Sequence, residues 1–143
     1  MTSDLFFEQY CGNRTFDLVF IDGLHIEQQV TRDFNNSFMR LNKEGIIVFH
    51  DCNPPNEAMQ YDHPVLNAWN GTAWRTFAEL RMRRLDLQMH CVDIDHGCGI
   101  VKAGSQEVYV KDEAEQVKQY PYLKMHRKEL LNLITVSQLK KNI

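Results

Sequence analysis

The chain has 143 residues, 43% hydrophobic and 24% charged, with 16 Lys and Arg against 19 Asp and Glu, a net charge of −3. That length suits one compact domain with one core, and the composition is globular rather than disordered. The slight acidity offers no basic field for nucleic acid or an anionic membrane surface. The apolar runs fall far short of the roughly 20 residues that span a bilayer. Met1-Thr2-Ser3-Asp4 carries no basic, apolar leader, so a soluble, cytoplasmic protein is expected. Cys11, Cys52, Cys91 and Cys98 form no C-x-x-C pair and are expected to be reduced, structural thiols.

Ser3 and Asp4, followed by Phe6, Phe7 and Tyr10, read as a capped short helix that Gly12 stops. Phe16 to Ile21 is a β-branched and aromatic strand closed by Asp22-Gly23. Ile26, Val30, Phe34 and Phe38 then step at four, with Leu41 closing the stripe. They predict an amphipathic helix of about four turns. Asn42-Lys43-Glu44-Gly45 breaks it, and Gly45 to Phe49 is a second strand that ends on His50-Asp51-Cys52. Strand, crossover helix and strand form a right-handed unit of a parallel sheet. Ligands of such sheets bind outside the carboxyl ends of the strands. Asp22, His25, His50 and Asp51 are therefore expected to converge on one rim.

From Asn53 to Gly71 the chain is rich in Pro, Asn and Asp and reads as a long loop on that rim. It is either a plain surface loop or a lid, to which Tyr61, Trp69 and Trp74 bring apolar area. Thr72 is expected to cap a helix to about Arg84, with Trp74, Phe77, Ala78 and Leu80 inward and Arg75, Arg81, Arg83 and Arg84 mostly outward. Leu85 to Ile94, the Asp95-His96-Gly97 turn and Cys98 to Val101 make an antiparallel hairpin. Ser105 to Val110 is a short β-prone piece, 111–119 a charged connector, and a tail helix starts near Leu123 and includes Leu130, Leu131, Leu133 and Ile134. The organisation expected is one α/β domain, with a core over 1–104 and a connector and C-terminal helix over 105–143.

Two segments are specific in combination. Phe16-Asp17-Leu18-Val19-Phe20-Ile21-Asp22-Gly23-Leu24-His25 and Leu41-Asn42-Lys43-Glu44-Gly45-Ile46-Ile47-Val48-Phe49-His50-Asp51-Cys52 resemble class I S-adenosylmethionine-dependent methyltransferases. The subgroup is one often linked to sugar and cell-surface biosynthesis, and Trp69 to Trp74 and Asp93 to Ile100 look like it too. The resemblance implies a partial Rossmann-like methyltransferase fold, truncated to the family's second half: parallel strands with a crossover helix plus a C-terminal antiparallel hairpin. The family's glycine-rich turn for the cofactor has no counterpart among the glycines at 12, 23, 45, 71, 97, 99 and 104. Phe16 would open the family's fourth strand, whose outer edge is then unpaired. Such an edge is a template for another chain, so a homo-oligomer, or a partner chain supplying the first half, is expected.

The activity implied is methyl transfer from S-adenosylmethionine to an oxygen or nitrogen of a small or sugar-containing substrate. The alternative is a catalytically incomplete fragment serving as an interaction or assembly module, so whether the chain is an enzyme stays open at this point. By resemblance Asp22 and Gly23 lie against the cofactor. In the metal-dependent branch, Asp22 and Asp51 match acids that bind magnesium. The third position is Cys52, a poor ligand, leaving Asn53 or water to complete the octahedron. His25, beside Asp22, suits a general base, and His50 an orienting partner. The plainer readings are that Asp22 or Asp51 caps a helix, that His25 starts one, and that His50 is a hydrogen-bonded, half-buried histidine. The His-Asp dipeptide of metal-dependent phosphohydrolases belongs in a helical bundle, not after a β-branched strand, and a receiver-type phosphoacceptor site lacks its further acids and lysine.

Overall fold

The computed structural model describes residues 1–65 and 67–141; residue 66 of the expected loop and the last two of the tail lie outside them. Strand β1 (Phe16–Ile21) and strand β2 (Leu41–Phe49) pair in parallel across helix α2 (Glu27–Phe38). Strands β3 (Leu87–Val92) and β4 (Cys98–Ala103) form the antiparallel hairpin, with β4 inserted beside β2. A two-residue strand β5 (Leu133–Ile134) runs parallel to β3, giving the order β1-β2-β4-β3-β5. This is a mixed α/β sheet with the connectivity of a partial Rossmann-like fold.

The pleat sorts the strands into two faces. Val19, Ile47, Val101 and Met89 form one row across the sheet. With Ile21, Phe49 and Cys91 they pack against Val30 and Phe34 of α2 and Trp74 and Phe77 of α3 (Ala73–Arg83). The next row, Phe20, Val48, Ile100 and His90, lies on the opposite face, where Phe20 is 56% exposed and the others are half-buried. Among the described residues the core is built on one side of the sheet. No described helix is long and apolar enough to cross a membrane.

Several local expectations are corrected. The first helix is capped by Thr2, whose Oγ1 accepts from Leu5 N at 3.3 Å, rather than by Ser3. It runs Ser3–Leu5 as α1 and continues as a π-helical turn to Tyr10. The expected break at Asn42–Gly45 is a bulge inside β2: the register passes from Phe16 opposite Leu41 to Leu18 opposite Ile46. Gly45 is needed there, since a Cβ would lie 2.7 Å from Leu41 Cγ.

Ser105 to Val110 makes no strand. Its Gln106 and Tyr109 bond back to Arg84 O and Arg81 O instead. The connector contains a short helix, α4 (Ala114–Val117). The tail is not one helix: α5 (Tyr120–Leu130) ends at a turn where Asn132 has φ 45° and donates to Met89 O. The apolar pair Leu133 and Ile134 then finds the open edge of β3, and α6 (Val136–Leu139) follows. Arg81 points inward rather than outward, donating to Leu130 O and Glu107 O, and Trp74 is fully buried in the core rather than in a lid.

Candidate functional site

The carboxyl ends of β1 and β2 meet the tip of the β3–β4 hairpin. Asp95, His96 and Gly97 all take left-handed backbone, φ 45°, 60° and 94°. That turn presents carbonyls to the chain leaving β2: Cys52 N donates to Gly97 O at 3.0 Å and Asn53 N to His96 O at 2.7 Å.

Asp51 is buried and has φ 61°. An aspartate held there costs on the order of 1 kcal/mol or more, and such strain concentrates at functional sites. Asn70 holds it, with Nδ2 donating to Asp51 Oδ1 at 2.9 Å. His25 Nδ1 lies 3.0 Å from Asp51 Oδ2 and 3.3 Å from Trp69 O, while Nε2 lies 3.2 Å from Asp22 Oδ1. His50 Nδ1 lies 3.2 Å from Asp51 Oδ2 and 3.3 Å from Asp22 Oδ1, and its Nε2 lies 3.2 Å from Asp95 Oδ2. The four residues expected on the rim converge, and Asp95 joins them.

Both ring nitrogens of each histidine face acid oxygens, which favours imidazolium. The hydrogen bond to Asp51 raises the His25 pKa, more than burial lowers it. For His50 burial is the largest single effect and acts downward, but Asp51, Asp95 and Asp22 together carry the pKa above its ordinary value. Both folded values therefore exceed the unfolded value of about 6.5. Stability from these pairs is fully present below pH ~6.5 and is lost as pH rises through the folded values. In urea unfolding between about pH 6 and 9, stability should fall with pH, and more shallowly in His25→Gln. An equally steep fall in that variant would remove His25 from the account.

Residues 69–72 wrap His25. The Trp69 ring stacks on the imidazole at 5.3 Å and 22°, and its Nε1 donates to Tyr61 O at 2.8 Å. Thr72 N donates to His25 O at 2.7 Å. Thr72 Oγ1 accepts from Glu27 N at 2.8 Å, so this hydroxyl caps α2 from outside and not α3, where it was expected. Asp22 does not cap α2 either, since its first turn starts from Ile26 without a side-chain cap. Much of the expected lid is thus tied down: Met59 and Gln60 are buried, and Met59 O accepts from both Asn70 N and Gly71 N.

Residues 2–52 match the family model of a methyltransferase domain. No curated protein and no solved structure matches the chain. The matched stretch runs from α1 to Cys52 and so includes Asp22, Gly23, His25, His50 and Asp51; Trp69 to Thr72 and Asp95 lie beyond it.

Of the magnesium set implied by resemblance, Asp22 and Asp51 come together and Asn53 does not join them. Asn53 is turned away from the rim, its Nδ2 donating to Asp93 Oδ1 at 3.1 Å and its Oδ1 accepting from Arg127. Cys52 is fully buried, and burial pushes its thiol pKa well up. All four cysteines are free. What does assemble is Asp22, His25 and Asp51, whose donor atoms lie within 4.8 Å of one another. Two carboxylates and an imidazole fit manganese, iron or zinc better than magnesium. Gly23 also lines a groove of about 850 Å³ along β1, together with Leu18, Phe20, Phe6 and Phe7. Of the residues that matter here, Asp95, Asn70 and Thr72 escaped sequence reasoning. The sequence offers a turn tripeptide for Asp95 and the Trp69-Asn70-Gly71-Thr72 segment for the other two.

Proposed function

We propose that this chain takes part in S-adenosylmethionine-dependent methyl transfer to an oxygen or nitrogen of a small or sugar-containing substrate. The observation that carries the reading is that the matched segment ends on the rim where Asp22, His25 and Asp51 come together. Bound S-adenosylmethionine supplies an electrophilic methyl on a sulfonium. This chain's part is to take the acceptor's proton and to balance charge. Neutral His25 accepts the proton at Nε2, the nitrogen beside the half-exposed Asp22, while Asp51 at Nδ1 holds the ring and stabilises the imidazolium formed. Trp69, stacked on the ring, limits water at that face. Asp22 offers the negative charge that a sulfonium prefers. Gly23, next to Asp22, adds no side chain to narrow the approach to the rim.

The test is calorimetric titration of the folded chain with S-adenosylmethionine and its demethylated product, with magnesium, manganese or neither. Micromolar binding that does not require magnesium is expected. No heat from a chain with a cooperative unfolding transition would sink the reading. A module without catalysis is favoured by one observation, the exposed Leu18 and Phe20 of β1.

A further inference from the structure

The outer edge of β1 has a self-complementary pattern. Ile21 O accepts from His50 N at 3.0 Å, so the peptide groups of Ile21 face β2. Strand alternation turns those of Val19 the same way and those of Leu18 and Phe20 outward. The same two residues carry large exposed side chains, Leu18 at 65% and Phe20 at 56%. Unpaired backbone and unburied apolar surface coincide on one strand, a combination that soluble proteins ordinarily blunt with charge, proline or cover.

We propose that a second copy of this chain docks there, pairing β1 with β1 antiparallel about a two-fold axis at Val19. In that register Leu18 of each copy opposes Phe20 of the other. Each such pair exchanges both N–H to O=C bonds and sets leucine against phenylalanine on the open face of the sheet. Asp17 then opposes Ile21 and Asp22 opposes Phe16, so no acid meets an acid. Competing registers are poorer. An axis at Phe20 sets Leu18 against the Asp22 carboxylate. An axis at Leu18 needs the N–H of Phe16, which already donates to Arg40 O at 2.8 Å.

Leu18 and Phe20 line the 850 Å³ groove together with Phe6 and Phe7, and in the proposed dimer those two rings serve as a wall for the incoming strand. That wall is needed, because a strand pair alone buries less than the roughly 800 Å² per partner of a standard interface. The arrangement is isologous and closed. It also brings Phe16 of the second copy opposite Asp22, against the open side of the rim.

The inference goes beyond methyl transfer and is tested without cofactor. Sedimentation equilibrium of the full chain from about 1 to 100 μM should give twice the 16.8 kDa monomer mass. Phe20→Lys should raise the dissociation constant at least about tenfold with an unchanged circular dichroism spectrum. Val19→Cys, at the non-hydrogen-bonded position on the axis, should give on oxidation a covalent dimer that wild type does not. That cross-link decides the matter if Phe20→Lys fails to fold. A wild type that stays monomeric throughout, a dimer undisturbed in Phe20→Lys, or a Val19→Cys dimer that does not cross-link overturns the proposal.

Discussion

Replacing Gly71 by alanine is expected to destabilise the chain by about 3–5 kcal/mol, the range of severe single substitutions. Gly71 has φ 63°, and a Cβ there would sit 2.0 Å from His25 O and 2.6 Å from His25 Cβ. The obstacle is mainly backbone, which cannot swing aside as the end of a long side chain does. Relief requires the 69–72 segment to lift away from His25. That breaks the 2.7 Å bond from Thr72 N to His25 O and withdraws the Thr72 hydroxyl from the first turn of α2. Loss of such a cap is itself worth about 1 kcal/mol. Gly12 is the internal control: its φ is 58°, yet a Cβ there meets nothing within 4 Å. Gly12→Ala should therefore cost only the left-handed backbone, about 1–2 kcal/mol. Urea denaturation of the two variants measures the difference. Similar midpoints would mean that the wrap around His25 contributes little to stability.

The same wrap explains what the sequence could and could not disclose. The strand–helix–strand unit and the hairpin were legible because each carries its own periodicity, and the rim followed from them: in a parallel sheet, residues after β1 and β2 must lie side by side. On that ground the sequence predicts Asp22, His25, His50 and Asp51 on one rim, and the structure brings them together there. Proximity in sequence predicts that Thr72 caps the nearest helix, whereas its hydroxyl serves Glu27, distant in the chain. Asp95 and Asn70 reach the rim through tertiary docking of the hairpin tip and of the loop, which no local pattern encodes. The sequence predicts helix at Leu133 and Ile134 because leucine-rich runs satisfy both periods. The vacant edge of β3 and the left-handed Asn132 decided for strand. Asn53 looked like a metal ligand beside Asp51, but Arg127 and Asp93 hold its side chain away.

His25→Gln is expected to slow methyl transfer by about 10²–10⁴-fold, the usual contribution of a positioned general base, with donor affinity kept. Glutamine can still bond Trp69 O and an acid but cannot accept a proton. The pH dependence separates this role from a structural one. Asp51 raises the His25 pKa, so at neutral pH a larger share of His25 is protonated than of an unperturbed histidine, and protonated His25 cannot act as base. Wild-type kcat/KM should therefore climb as pH rises above about 6.5 and level off beyond the folded pKa. His25→Gln should lose that inflection. Stability moves the other way, since the Asp51–His25 ion pair is strongest when His25 is charged. One carboxylate thus does two opposed things: it orients the ring for proton transfer, and it holds on the ring the proton that must leave first. Partial solvent exposure of Asp22, at 41%, against burial of Asp51 leaves the Asp22 side of the ring as the route for that proton. If His25→Gln keeps both its rate and the inflection, the base is instead His50, which shares Asp22 and Asp51 and whose pKa is raised as well.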